Sequence, residues 1–206
     1  MSADEGLLGN AYELENIEQM GKLYDRWAAT YEKELLDNGY VTPTRCAATL
    51  ARYAQDASLP VADLGCGTGL SGLALRDAGF TVIDGFDYSK EMLAYARGKT
   101  GVYQSLECID LSIPLPFETG QYGNACATGV VNPGHAPSEA IRYTLDVLPR
   151  GGCFALSLND HAIGEGFGNA VEALVHDGAA ELVFEEYGEH IPRIDLRSTV
   201  YLLRKL

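Results

Sequence analysis

No apolar run in this chain approaches the roughly 18–20 residues needed to cross a membrane. The opening Met1-Ser2-Ala3-Asp4-Glu5 is acidic, where a secretory signal would be basic and then apolar. Basic residues are scarce: 15 Lys and Arg stand against 29 Asp and Glu, for a formal charge of −14. Phosphate backbones are held by Lys and Arg, so nucleic acid is not an expected partner. The surplus acid serves solubility. Cys46, Cys66, Cys108, Cys126 and Cys153 form no C-x-x-C pair, and their number is odd. Reduced thiols, no metal site and a cytoplasmic setting are therefore expected. Repeats, low-complexity tracts and linkers are also missing. With 206 residues, 47% of them apolar, the chain suits one domain around a packed core.

What is present is an alternation of strand and helix patterns. From Leu14 to Leu36 the residues Ile17, Met20, Tyr24, Trp27, Tyr31 and Leu35 recur at helical spacing, and Asn38-Gly39 stops that helix. Thr42-Pro43 restarts a helix that should run to about Ala57. Strands are expected at Val61–Leu64, Phe80–Phe86, Gly101–Ile109, Asn124–Val130 and Cys153–Leu158. Helices fall between them: one ending at Gly79, one from the Ser89 cap through Arg97, and one over Ser138–Leu148. A helix near Asn169–His176 and two late strands, Glu181–Glu186 and Ser198–Arg204, close the chain. Such alternation implies an α/β fold with a mainly parallel sheet covered on both faces, and the final pair of strands implies an antiparallel edge. Residues 1–206 thus read as a single domain, with covering helices over 1–58 and the sheet core over 59–206.

The segment richest in chemistry is Asp63-Leu64-Gly65-Cys66-Gly67-Thr68-Gly69. A glycine loop between strand and helix lets backbone approach a ligand closely, and the following helix N-terminus offers free N–H groups. Gly67-Thr68-Gly69-Leu70-Ser71-Gly72 also fits the dinucleotide pattern G-x-G-x-x-G, with Asp87 at ribose distance, so a nicotinamide-binding oxidoreductase is one reading. Against it, Asp63 would repel a pyrophosphate and suits a ligand with a positive end. No second substrate domain is visible. The only Tyr-x-x-x-Lys, Tyr95 to Lys99, falls on the helix after the second strand.

This segment resembles the first motif of the class I S-adenosylmethionine-dependent methyltransferases, an acid followed by x-G-x-G-x-G. The resemblance continues through Gly85-Phe86-Asp87-Tyr88-Ser89-Lys90-Glu91-Met92-Leu93, Asp110-Leu111 ahead of Pro114-Leu115-Pro116-Phe117, Tyr122 to Val131, and the Leu148-Pro149-Arg150-Gly151-Gly152 turn. Tyr24-Asp25-Arg26-Trp27-Ala28-Ala29-Thr30-Tyr31-Glu32 is similar to the opening helix of small-molecule subfamilies, including the Williams–Beuren-region methyltransferase-like proteins. The fold implied is Rossmann-like and doubly wound: a mainly parallel seven-stranded sheet with a C-terminal antiparallel strand pair and N-terminal covering helices. The sequence departs from the family at Tyr122-Gly123, where Tyr-Asp is usual. Asn132-Pro133-Gly134-His135 only faintly resembles the Asn-Pro-Pro-Tyr motif of amino-methylating enzymes, since it lacks the second proline and the aromatic.

The resemblance implies S-adenosyl-L-methionine as cofactor, S-adenosyl-L-homocysteine as product, and a small-molecule acceptor. A cofactor-binding protein with regulatory or lost activity is the alternative. Asp63 is expected near the methionine amino group, with Gly65, Cys66, Gly67, Thr68 and Gly69 as the cradle; a structural cap is the plainer role for Asp63. Asp87 is expected to accept from both ribose hydroxyls, with ordinary helix capping as the alternative. Tyr88 and Met92 are placed against adenine, Asp110 and the Leu111 N–H at its edge, and Thr128 at the end of the fourth strand. Tyr24 and Tyr31 share a helix face with Trp27 and read either as a lid, with Gly21 and Gly39 as hinges, or as core. Sulfonium chemistry chiefly needs alignment, and a base only where the acceptor is protonated. His135 is the candidate base; His161, His190 and Arg193, expected on later loops, are weaker ones.

Overall fold

The computed structural model describes residues 30, 32–54 and 56–206. Residues 32–37 are helical and end at Gly39, whose φ of +79° lets Tyr40 N–H return to the Leu35 carbonyl. Then follow α1 (Thr42–Tyr53), β1 (Val61–Leu64), α2 (Leu70–Asp77), β2 (Ile83–Asp87), α3 (Lys90–Arg97) and β3 (Ser105–Cys108). The second half carries β4 (Asn124–Ala127), α4 (Glu139–Val147), β5 (Cys153–Asn159), α5 (Asp160–Gly164) and α6 (Gly168–His176). It closes with β6 (Ala180–Ile191), a 3-10 turn at Pro192–Ile194 and β7 (Leu196–Lys205).

All seven strands join one sheet in the order β3-β2-β1-β4-β5-β7-β6. The first five pair in parallel, and β7 runs antiparallel to both β5 and β6. Every residue of β1, β4 and β5 is buried, as expected for central strands covered on both faces. One apolar cluster gathers Leu64, Phe86, Phe154, Leu156 and Ile141. The other gathers Leu50, Val61, Leu75, Phe80 and Ile83 on the α1–α2 side. Chain order reverses between β1 and β4, which opens a crevice beyond their carboxyl ends.

Several boundaries differ from the sequence reading, each for a local reason. The second strand begins at Ile83, because Gly79 (φ +104°) closes α2 in a Schellman turn: its N–H bonds Arg76 O, and the Phe80 N–H bonds Leu75 O. Phe80 is the apolar residue that such a turn buries. The third strand is limited to Ser105–Cys108, and the fourth stops at Ala127 before Gly129 turns with φ +69°. α1 ends at Tyr53, with Ala54 extended ahead of the Pro60 region. The fifth strand runs on to Asn159, whose side chain caps α5. The last two strands are longer than expected, at 12 and 10 residues. The unusual Gly123 has a packing cause: a β-carbon there would stand 2.5 Å from that of Leu59.

Candidate active site

Gly65 and Gly67 shape the loop between β1 and α2. Both have positive φ, +67° and +53°, a region costly for residues with a β-carbon. At Gly65 a β-carbon would lie 2.4 Å from Val130 Cγ2, so the chain after β4 packs directly on the loop. At Gly67 it would meet nothing within 4 Å. The space it would enter adjoins a cleft open to solvent and lined by Gly65, Cys66, Gly67, Thr68 and Thr128 together with Leu35 and Tyr40.

Two carboxylates brace this loop. Asp63, on β1, is 0% exposed, and its Oδ2 accepts from Ser71 Oγ (2.7 Å) and from the Tyr103 hydroxyl (2.8 Å). Burial drives its pKa up to about 6, against the pull of those two hydrogen bonds. Its Oδ1 is buried without a hydrogen-bond partner, and so is Oγ1 of Thr68 in the cleft wall. Buried polar atoms of this kind are costly unless something pairs them. Asp87, at the end of β2, accepts Gly67 N–H at 2.8 Å on one oxygen and Ser89 N–H at 2.9 Å on the other. Burial raises its pKa while these backbone donors lower it.

Tyr103, Ser71, Leu35 and Tyr40 were not among the residues assigned to the site from sequence. Tyr103 lies between β3 and the glycine loop, and its oxygen also accepts Gly72 N–H at 3.1 Å. Burial and the neighbouring Asp63 hold its proton in place. A β-carbon at Gly72 would stand 2.2 Å from that hydroxyl, and one at Gly85 2.8 Å from the ring. The third glycine of the apparent dinucleotide pattern therefore makes room for a tyrosine. Two bare positions facing one aromatic were the only available hint. Tyr103→Phe removes one donor from buried Asp63 and one acceptor from Gly72, so a stability loss of about 1–3 kcal/mol is expected by urea unfolding.

The other sequence candidates scatter. Gly69 (φ +96°) caps α2. Met92 is 2% exposed on α3, whereas Tyr88 is 53% exposed. Asp110 accepts from Ser112 N–H at 2.8 Å, and the Leu111 side chain joins the core. Tyr24 and Tyr31, with Trp27 and Gly21, lie outside the described residues. His135 is on the loop after β4, with Nδ1 3.5 Å from Pro133 O. Burial lowers its pKa to about 4, and it is not among the residues lining the cleft. His161 is exposed on α5, and Arg193 is in the 3-10 turn, bonded to Asp37 O. His190, expected on a loop, is instead buried within β6, because that strand runs on to Ile191.

A doubly wound sheet with an acid-backed glycine loop at its switch point defines an α/β protein built to hold a nucleoside-type cofactor. A family model described as a methyltransferase domain matches residues 61–152. Human methyltransferase-like protein 27 is 31% identical over 166 residues, covering 79% of this chain and 67% of that protein. The chain belongs to that methyltransferase family, of the class I S-adenosylmethionine-dependent type. Among solved structures, magnesium protoporphyrin IX methyltransferase from Synechocystis PCC 6803 with bound SAH matches at TM-score 0.65 and 18% identity. That match covers 88% of this chain and 94% of the other. The [4+2]-cyclase SpnF matches at TM-score 0.63 and 17% identity, over 79% of this chain and 81% of that one.

Proposed function

We propose that this chain transfers the methyl group of S-adenosylmethionine to a small-molecule acceptor in the cleft beside Thr128. The observation that carries the cofactor reading is the buried Asp63 carboxylate behind the glycine loop, with Oδ1 unpaired. A cationic amino group supplies what that carboxylate lacks, whereas a pyrophosphate does not. The residues fit the rest of the cofactor equally well. Asp87 is assigned to the ribose hydroxyls because it holds the Gly67 N–H of the same loop, Thr68 has an unpaired hydroxyl, and the space at Gly67 is open. When bound, S-adenosylmethionine supplies a methyl group already activated on sulfonium. The protein's part is to bind, orient and keep out water.

Leu35 and Tyr40 also line the cleft, and Lys99, whose Cδ would stand 3.0 Å from a β-carbon on Gly69, pairs through Nζ with Glu32 at 2.6 Å. This pairing supports the role of residues 1–58 as a cover over the core of 59–206. The charge of −14 favours a small acceptor over nucleic acid, and a cytoplasmic setting accords with five unpaired cysteines. His135, neutral at pH 7 with its low pKa, remains a candidate for taking a proton from the acceptor.

Calorimetry with S-adenosylhomocysteine, S-adenosylmethionine and NADH tests the cofactor. Binding of the first two and not the third is expected, and the reverse rejects the reading. Turnover on a panel of hydroxyl and amine acceptors then decides between methyl transfer and binding alone, because the same fold serves a cyclase. Asp87→Ala should weaken S-adenosylhomocysteine by about ten- to a hundredfold, since it removes two charge-assisted hydrogen bonds and also releases Gly67 N–H. An unchanged dissociation constant in a folded variant would remove Asp87 from the site.

A further inference from the structure

Asp63 has two carboxylate oxygens, and their surroundings differ sharply. Oδ2 accepts two O–H donors: Ser71 Oγ on α2, at 2.7 Å, and the Tyr103 hydroxyl from the connection ahead of β3, at 2.8 Å. Oδ1 is buried with no hydrogen-bond partner. The last torsion of an aspartate is broad and roughly two-fold, so its two oxygens can exchange places when nothing holds them. Two donors on one oxygen fix that torsion and decide which oxygen is left over.

Tyr103 is itself held in one place. Its oxygen accepts Gly72 N–H at 3.1 Å, and its own proton goes to Asp63, because an ionised carboxylate can only accept. The ring lies in a slot bounded by three glycines. A β-carbon would stand 3.1 Å from Cε2 at Gly69, 2.2 Å from the hydroxyl oxygen at Gly72 and 2.8 Å from Cε1 at Gly85. The glycine loop, α2 and β2 thus each lack a side chain where this ring passes. Burial, and then the nearby Asp63, keep the phenol protonated.

The other titratable groups facing Asp63 are Asp87 on β2 and the thiols of Cys66 on the loop and Cys126 on β4. Burial raises the Cys66 pKa, and Cys46 together with burial raises that of Cys126, so neither thiol is charged at pH 7. Burial and Asp87 oppose ionisation of Asp63, and the two O–H donors favour it.

We propose that Tyr103 is a positioning residue for the cofactor: with Ser71 it occupies Oδ2 of Asp63 and so reserves Oδ1 for the ammonium group of S-adenosylmethionine. This rests on the assignment of Asp63 to that ammonium, made above, and adds how the carboxylate is set. The same hydrogen bond favours the ionised carboxyl, which is the form an ammonium needs. Tyr103 touches neither the cofactor nor the acceptor, and acts through Asp63 alone.

The test compares Tyr103→Phe with the wild type by calorimetry across pH, using two ligands. S-adenosylhomocysteine carries the ammonium, whereas 5′-methylthioadenosine has the nucleoside and thioether without it. Loss of one hydrogen bond to a charged group should move the midpoint of the S-adenosylhomocysteine affinity curve up by about one pH unit. The variant should bind that ligand about five- to tenfold more weakly than wild type near pH 6 and within about threefold of it near pH 8.5. Ionisation of the ligand cancels in this ratio. Affinity for 5′-methylthioadenosine should match wild type throughout. Ser71→Ala removes the other donor, so it should shift the same curve in the same direction, and it replaces Tyr103→Phe if that variant folds poorly. An unmoved midpoint, or an equal loss for both ligands at every pH, makes Tyr103 purely structural and overturns this proposal alone. A wild-type affinity for S-adenosylhomocysteine without pH slope, or no binding at all, overturns the Asp63 assignment beneath it.

Discussion

Asp63→Asn should weaken S-adenosylhomocysteine binding by about a hundredfold near neutral pH while making the ligand-free protein more stable. Both effects follow from one buried carboxylate. Its folded pKa is raised from 3.8 to about 6 by burial. The folded protein therefore holds a proton that the unfolded chain has already released, and stability falls as pH rises from about 4 to about 6. Above that range the cost is constant, and the neutral amide removes it, for a gain of about 3 kcal/mol. Binding runs the other way. A cationic amino group needs the ionised form, so wild-type affinity should climb about tenfold from about pH 5 to about pH 7 and then level. The Asn variant should lose this slope together with the charge-assisted contact. Calorimetry across pH and thermal unfolding of the apo protein check both halves. Equal affinity and an intact slope in a folded variant would make Asp63 a purely structural residue.

Gly65→Val and Gly67→Val should fail in opposite ways, although the two glycines stand two residues apart in one loop. At Gly65 even a β-carbon collides with Val130, at 2.4 Å from Cγ2 and 2.5 Å from Cβ. Val130 has little room to retreat, because its carbonyl accepts Ala136 N–H at 3.0 Å. Overpacking and a forced positive φ together should cost about 3–5 kcal/mol and leave little folded protein. At Gly67 the added side chain meets open space, so the cost is the backbone term alone, about 1–2 kcal/mol. That variant should keep a native circular dichroism spectrum and lose cofactor binding, because its branches occupy the cleft. If Gly67→Val still binds S-adenosylhomocysteine, the ligand does not lie along this loop.

What could be read from the chain alone was local or periodic. The strand at Val61–Leu64, the glycine loop, the Ser89 cap that accepts Met92 N–H, and the antiparallel closing pair each depend on residues adjacent in sequence. Boundaries were missed where a glycine turn ended an element early or where pairing carried a strand onward. Tertiary structure alone decided the contacts between distant positions. Tyr103 reaches Asp63 across 40 residues and Thr42 reaches His190 across 148, and no spacing rule connects either pair. Sequence determines which residues can turn, cap or alternate, because those preferences act over a few bonds. It does not display which polar side chains share a buried space. That depends on how a parallel sheet brings together strands made far apart in the chain, and only there does desolvation raise the Asp63 pKa and does packing leave Thr68 Oγ1 unpaired.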